Sequence, residues 1–138
     1  MKISIITTLY KSSSFINEFH QRITETVNKI TSDYEIILVN DGSPDNSLEV
    51  ALKLFQNDKK VKIINLSRNF GHHKAIMTGL KYAKGDYIFL IDIDLEEPPE
   101  LLWDFYDEIK KDENTDVIFG VQAKRKGKIF ERVSGSIF

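Results

Sequence analysis

Three observations in the sequence predict an α/β fold with a mostly parallel sheet flanked by helices. Strand-like and helix-like stretches alternate along the chain. The strand-like stretches are β-branched or aromatic runs with no polar break, as in strands buried on both faces. Polar, turn-forming residues follow these runs, where an open α/β sheet binds its ligands. Such alternation implies right-handed crossovers that place helices on both faces.

Lys2 to Thr8 reads as the first strand, and Ser12-Ser13-Ser14 then offers a helix cap. Ile16, Phe19, Ile23, Val27 and Ile30 recur at steps of three and four, one face of a helix. Glu35 to Val39 is a second buried strand, ending in the turn formers Asn40-Asp41-Gly42-Ser43-Pro44-Asp45-Asn46-Ser47. Leu48, Ala51, Leu52 and Phe55 mark a second helix, capped by Asp45 or Asn46. Val61 to Leu66 is a third strand, and Ala75, Ile76, Gly79, Leu80 and Ala83 mark a third helix before Gly85. Tyr87 to Ile91 is the fourth strand, again read as buried on both faces. Pro99 is placed to open a fourth helix at its first position, with Leu101, Leu102, Phe105 and Ile109 on its apolar face. Asp116 to Gly120 reads as a fifth strand, and Phe130, Val133 and Ile137 as a last helix.

The chain has 138 residues, enough for one domain with a real core and too few for two. There are no cysteines, which excludes a disulfide framework and thiolate metal sites. No apolar stretch approaches the length of a membrane span, and no signal peptide precedes the first strand. The net charge of −2 is unevenly spread: Lys124, Arg125, Lys126, Lys128 and Arg132 stand against Glu131 alone after Val121. An acidic body with a basic end points to an anionic partner there, or to a solvated loop. A nucleic acid is a poor candidate, because the basic stretch has no interleaved Tyr or Trp.

Function rests on the residues at the carboxyl ends of the strands. These are Thr8-Leu9-Tyr10, Asn40-Asp41-Gly42-Ser43, Ser67-Arg68-Asn69, Asp92-Ile93-Asp94 and Gly120-Val121-Gln122. No Gly-rich dinucleotide fingerprint follows the first strand and no P-loop is present, which argues against hydride transfer and ATP-driven phosphoryl transfer. In Asp92-Ile93-Asp94-Leu95-Glu96-Glu97 four carboxylates fall within six residues. They repel one another unless water or a cation screens them. A hard divalent ion with oxygen ligands and room for a substrate phosphate answers that repulsion. A solvated acidic turn before a helix answers it equally well on spacing alone.

Four stretches together carry a resemblance. They are Val39-Asn40-Asp41-Gly42-Ser43-Pro44-Asp45-Asn46-Ser47, Leu66-Ser67-Arg68-Asn69-Phe70-Gly71-His72, Gly85-Asp86-Tyr87, and Asp92 through Glu100. In this order and spacing they resemble the family-2 glycosyltransferases, and within them the polyprenyl-phosphate branch: dolichol-phosphate mannose synthases and undecaprenyl-phosphate sugar transferases. The resemblance implies the GT-A nucleotide-diphospho-sugar transferase fold, a divalent metal (Mn²⁺ or Mg²⁺) and an inverting mechanism. It implies a UDP- or GDP-sugar donor and a lipid-phosphate acceptor, at the cytoplasmic face of a membrane or in the cytoplasm. A soluble enzyme acting on a saccharide hydroxyl and a non-catalytic nucleotide-sugar-binding module are the alternatives. The chain is expected to be a single catalytic domain over 1–138 that lacks its C-terminal part, with membrane attachment through the missing portion.

The resemblance assigns roles residue by residue. Tyr10 matches the aromatic beside the nucleotide base; Thr8, in the same loop, stands where the family usually has Pro. Asp41 matches the acid that accepts a hydrogen bond from the base, although Asp45 fits the alternative role of helix cap better. Asp92 and Asp94 match the Asp-x-Asp pair, with Asp94 the better metal ligand and Asp92 serving ribose, metal or both. Glu96 stands where this branch commonly has Gln, a further ligand. Arg132 and Ser136 resemble the basic and hydroxyl residues that hold phosphate near the following helix. Gln122 stands where many relatives have Arg. Arg68 and His72 match motif positions, Arg68 on the nucleotide side, while a helix-start or surface role suits His72 and His73.

Overall fold

The computed structural model describes residues 1–123 and 127–134, with side chains through residue 120. It forms two compact units, Met1–Pro99 and a second from Glu100 on. The first contains β1 (Ile3–Leu9), α1 (Ile16–Asn28), β2 (Tyr34–Asn40), α2 (Ser47–Asn57), β3 (Val61–Asn65), α3 (His72–Tyr82) and β4 (Tyr87–Leu90). The second contains α4 (Leu101–Ile109), β5 (Thr115–Ala123) and β6 (Gly127–Ser134).

The four strands of the first unit form one parallel sheet in the order β3-β2-β1-β4. Thr8 lies beside Val39, and Ile6 lies between Ile37 and Leu90. Side chains alternate across a strand. Ile6, Ile37 and Val39 therefore share a face, and they cluster there with Ala75 of α3. Gly79 sets that contact: a Cβ there would stand 2.6 Å from Cγ2 of Ile6. Ile3, Ile5, Leu9, Ile36 and Leu38 point the other way and are equally buried, so both faces of the central strands are covered. The helix α1 buries Ile16, Phe19, Ile23 and Val27 and ends short of Ile30.

Three sequence readings need correction. The strand β4 is not buried on both faces: Ile88 and Leu90 are half exposed, while Phe89 and Ile91 are buried. Among the described residues β4 pairs only with β1, so it is a sheet edge. The fifth strand does not join the parallel sheet; it pairs antiparallel with β6. The last helix expected from Phe130, Val133 and Ile137 is the strand β6 as far as Ser134, and Ile137 lies outside the described residues. Phe130 and Val133 fit a helical step, but Ile129, Phe130 and Val133 also favour a strand, and the partner strand satisfies the backbone. Helix starts differ locally too. Phe15, not a serine, occupies the N-cap of α1, and Pro99 lies outside α4, which begins at Leu101.

Candidate functional site

The strand order reverses direction at β1: β2 and β3 lie on one side and β4 on the other. Ligands of open α/β sheets bind at such a switch point, outside the carboxyl ends of the strands. Here that point is the gap between the ends of β1 and β4. Thr8 comes from β1, Asp92 from the segment after β4, and His72 from the first residue of α3. Thr8 Oγ1 lies 3.1 Å from His72 Nδ1, and His72 Nε2 lies 3.7 Å from Oδ1 of Asp92. A cavity of about 190 Å³ opens here, walled by Thr8, His72, Asp92 and Glu97 and by the apolar Ile6, Ile76 and Leu90. That is below the roughly 300–1,000 Å³ of sites that enclose a whole ligand, so it suits part of one.

Asp92 and Asp94 are exposed, whereas Ile91 and Ile93 are buried. The alternation that anchors the isoleucines thus turns both carboxylates outward. Leu95 follows with φ of 64°, a left-handed conformation that a leucine seldom adopts. The turn brings the Glu96 amide to donate to Oδ1 of Asp94 at 3.1 Å. Glu96 itself is exposed. No three His, Asp or Glu side chains among the described residues converge into a metal-holding group. Asp92 and Asp94 are hard oxygen donors open to solvent. They fit an ion of the magnesium or manganese type, which takes one or two carboxylates and completes its shell with water and phosphate oxygens.

The neighbouring loops are stitched together. The β1–α1 loop bonds to the β2–α2 loop through the Lys11 amide to Ser43 Oγ at 2.7 Å and the Ser12 amide to Ser47 Oγ at 2.9 Å. Asp45 is the hub, one residue before Asn46, which occupies the N-cap of α2 without a side-chain bond. It accepts from the hydroxyls of Ser43 and Ser47 at 2.6 Å each and from the Ser47 amide at 3.0 Å. Desolvation pushes this carboxyl up, but these bonds and one from the Ser13 amide outweigh it and hold it well below the usual carboxylate range. Lys11 pays for the junction with φ of 52°.

A second seam joins the β2–α2 and β3–α3 loops. Asp41 is buried, and its Oδ1 accepts from the Phe70 amide at 2.8 Å while its carbonyl accepts from Asn69 Nδ2 at 3.1 Å. Gly42 has φ of 63°, and a Cβ there would stand 2.3 Å from the Asn69 nitrogen. The Arg68 guanidinium lies 4.1 Å from the Phe70 ring centre. Tyr10 is half exposed on the same rim, with Lys11 Nζ 5.6 Å from its ring centre.

Thr8, Tyr10, Asp41, Arg68, Asp92 and Asp94 therefore all lie on the carboxyl rim of the first unit. Arg132 and Gln122 lie on β6 and β5. Gln122 thus sits within an antiparallel hairpin, not at the end of a parallel strand, and Arg132 is in a strand, not near a helix start. Ser136 lies outside the described residues. Sequence reasoning missed the approach of His72 to Asp92 and the anchoring of Phe70 by Asp41. The only local signal was the crowding of Phe70, Gly71 and His72 at the start of a helix.

The profile of glycosyl transferase family 2 matches residues 4–136, nearly the whole chain. The chain belongs to glycosyl transferase family 2. A relative described as "Putative glycosyltransferases" from Mycobacterium tuberculosis is 52% identical over 127 residues, covering 92% of this chain and 37% of the relative. The undecaprenyl-phosphate 4-deoxy-4-formamido-L-arabinose transferase of Salmonella choleraesuis is 34% identical, covering 99% of this chain and 41% of the relative. Among solved structures, the mannosyltransferase PcManGT from Pyrobaculum calidifontis, in complex with GDP-Man and Mn²⁺, superposes with a TM-score of 0.76 at 18% identity. That alignment covers 90% of this chain and 36% of PcManGT. The chain thus spans about 40% of the length of the curated family-2 relatives it matches. The parallel sheet flanked by helices is the GT-A fold of the family. No helix among the described residues is long and apolar enough to cross a membrane.

Proposed function

We propose that the chain carries the donor side of a metal-dependent, inverting glycosyltransferase that moves a sugar from a UDP- or GDP-sugar to a polyprenyl phosphate. The observation that carries this reading is the outward-turned pair Asp92 and Asp94 at the switch point between β1 and β4. The relative that acts on undecaprenyl phosphate and the GDP-Man and Mn²⁺ in PcManGT support it.

In this reading Asp94 and Asp92 hold the divalent ion, and the Glu96 amide keeps Oδ1 of Asp94 in place. Glu96 offers a further carboxylate oxygen nearby. When bound, the ion supplies Lewis-acid neutralisation of the charge developing on the departing diphosphate. Tyr10 offers a face to the base, and Asp41 with the Arg68–Phe70 pair shapes the rim beside it. Arg132 and Ser136 are the candidates for holding phosphate. A polyprenyl phosphate is already an anionic nucleophile, so the residues need to orient and screen it, not deprotonate it. A saccharide hydroxyl would need a general base. In the full-length protein the reaction belongs at the cytoplasmic face of a membrane.

Calorimetry with UDP, GDP, dTDP and CDP, each with Mn²⁺ or Mg²⁺ and each with EDTA, tests the donor side. Metal-dependent binding of one diphosphate is expected. Asp94→Asn should weaken it by on the order of 1–3 kcal/mol, the scale of a charge-assisted contact. Equal affinity in parent and variant with Mn²⁺ present sinks the assignment of Asp94. Radiolabelled transfer assays with a short-chain polyprenyl phosphate and a saccharide acceptor side by side then decide the acceptor class.

A further inference from the structure

We propose that His72 is a positioning residue for Asp92, holding its carboxylate through Nε2 while Thr8 holds the imidazole through Nδ1. The proposal rests on the reading above, in which Asp92 serves the metal or the diphosphate. The two ring nitrogens face two different strand ends: Thr8 Oγ1 at 3.1 Å from Nδ1, and Asp92 Oδ1 at 3.7 Å from Nε2. An ionised carboxylate only accepts. The proton of a neutral imidazole therefore belongs on Nε2, which leaves Nδ1 to accept from the Thr8 hydroxyl. That hydroxyl is the only partner in the arrangement that can donate toward Nδ1, so the assignment is self-consistent.

The Nε2–Oδ1 separation is about 0.7 Å longer than an ordinary N–H···O bond, so the two groups face each other without a hydrogen bond until they close. Such contacts at reacting sites often tighten only when the ligand arrives. Asp92 is 63% exposed, and the imidazole is the one cationic or ring-nitrogen group that approaches its carboxylate among the described residues. An unrestrained exposed carboxylate must give up rotamer freedom to coordinate anything, and a tethered one gives up less. The imidazole is itself held in place. Thr8 belongs to β1, and Gly71, with φ of 102°, turns the chain so that α3 begins at His72.

The test uses four substitutions in the full chain, three at His72 and one at Thr8, with Mn²⁺ binding read by electron paramagnetic resonance and GDP and UDP binding read by calorimetry with Mn²⁺ and with EDTA. His72→Phe removes both nitrogens. His72→Asn keeps a polar atom near Nδ1 but cannot reach Asp92. His72→Gln places an N–H near the Nε2 position. Phe and Asn should weaken Mn²⁺-dependent binding by roughly tenfold, the lower end of the range for losing a group that orients a ligand, while Gln restores most of it. Binding in EDTA and the melting temperature should hardly change. Thr8→Val should weaken Mn²⁺-dependent binding less than His72→Phe does, and adding it to His72→Phe should cost nothing further, because the two act as one unit. Parent-like Mn²⁺ binding by His72→Phe overturns the proposal, as does a Gln variant no better than Asn. Metal-independent or absent diphosphate binding by the parent itself overturns the donor-site reading, and the role of His72 with it; the parent measurement thus separates the two failures.

Discussion

Glu35 offers the sharpest test of what holds the sheet together. It lies on β2 near the amino ends of the strands, 1% exposed. It accepts from Lys62 Nζ at 2.5 Å, Ser4 Oγ at 2.6 Å and the Lys84 amide at 2.7 Å. Ser4 Oγ in turn accepts from the Gly85 amide at 2.8 Å, so one carboxylate ties β1, β2, β3 and the turn before β4. Burial pushes this carboxyl up, but the bonds from Lys62, Ser4 and Lys84 outweigh it and hold it at about 2, against an ordinary 4.5. A folded-state value below the unfolded one adds stability that is complete above about pH 5 and is lost as pH falls from there toward 2. A shift of this size corresponds to about 3 kcal/mol at most. Lys62 is 46% exposed, so water screens part of the pair and about 2 kcal/mol is the better figure. Glu35→Gln keeps the shape but turns an amide N–H₂ or a neutral oxygen toward Lys62. It should destabilise the chain at pH 7 by about 2 kcal/mol, or roughly 6–10 °C in melting temperature for a chain of this size. It should also flatten the loss of stability between about pH 5 and pH 2. Urea unfolding of both proteins across that range is the assay. Parallel pH profiles, or a melting temperature unchanged at pH 7, would refute the reasoning.

Substitutions at three further positions probe the rim. Gly42→Ala combines a left-handed backbone with a Cβ that would stand 2.3 Å from the Asn69 nitrogen; it should cost about 2–4 kcal/mol in urea unfolding and lower nucleotide affinity as the seam opens. Asp41→Ala leaves the Phe70 amide without its acceptor and should cost about 1–3 kcal/mol. If Asp41 also reads the base, the same variant loses discrimination among nucleoside diphosphates, and a stability loss with unchanged selectivity confines it to anchoring the loop. Leu95→Val puts a β-branched residue at φ of 64° and should weaken Mn²⁺-dependent binding by disturbing the Glu96 amide beside Asp94, whereas Leu95→Asn, which tolerates that backbone, should keep it.

The order and type of the first nine elements, and the chemical inventory of the rim, were legible in the sequence. Periodicity is a local property: the stripe from Ile16 to Val27 and the run from Glu35 to Val39 announce themselves within a dozen residues. The bonding of Asp45 is equally local, because its partners Ser43 and Ser47 are two residues away. What the tertiary structure decided depends on partners far along the chain. Strand order left β4 paired only with β1 among the described residues, and Ile88 and Leu90, which read as buried, are half exposed. Pairing with β5 drew Gly127–Ser134 into a strand although Phe130 and Val133 keep a helical step. The same order put the switch point between β1 and β4, and so brought Thr8, His72 and Asp92 within reach across separations of 64 and 20 residues. No window of sequence contains those three residues, and only the packing of α3 on β1, with Gly79 against Ile6, places His72 at the end of the sheet.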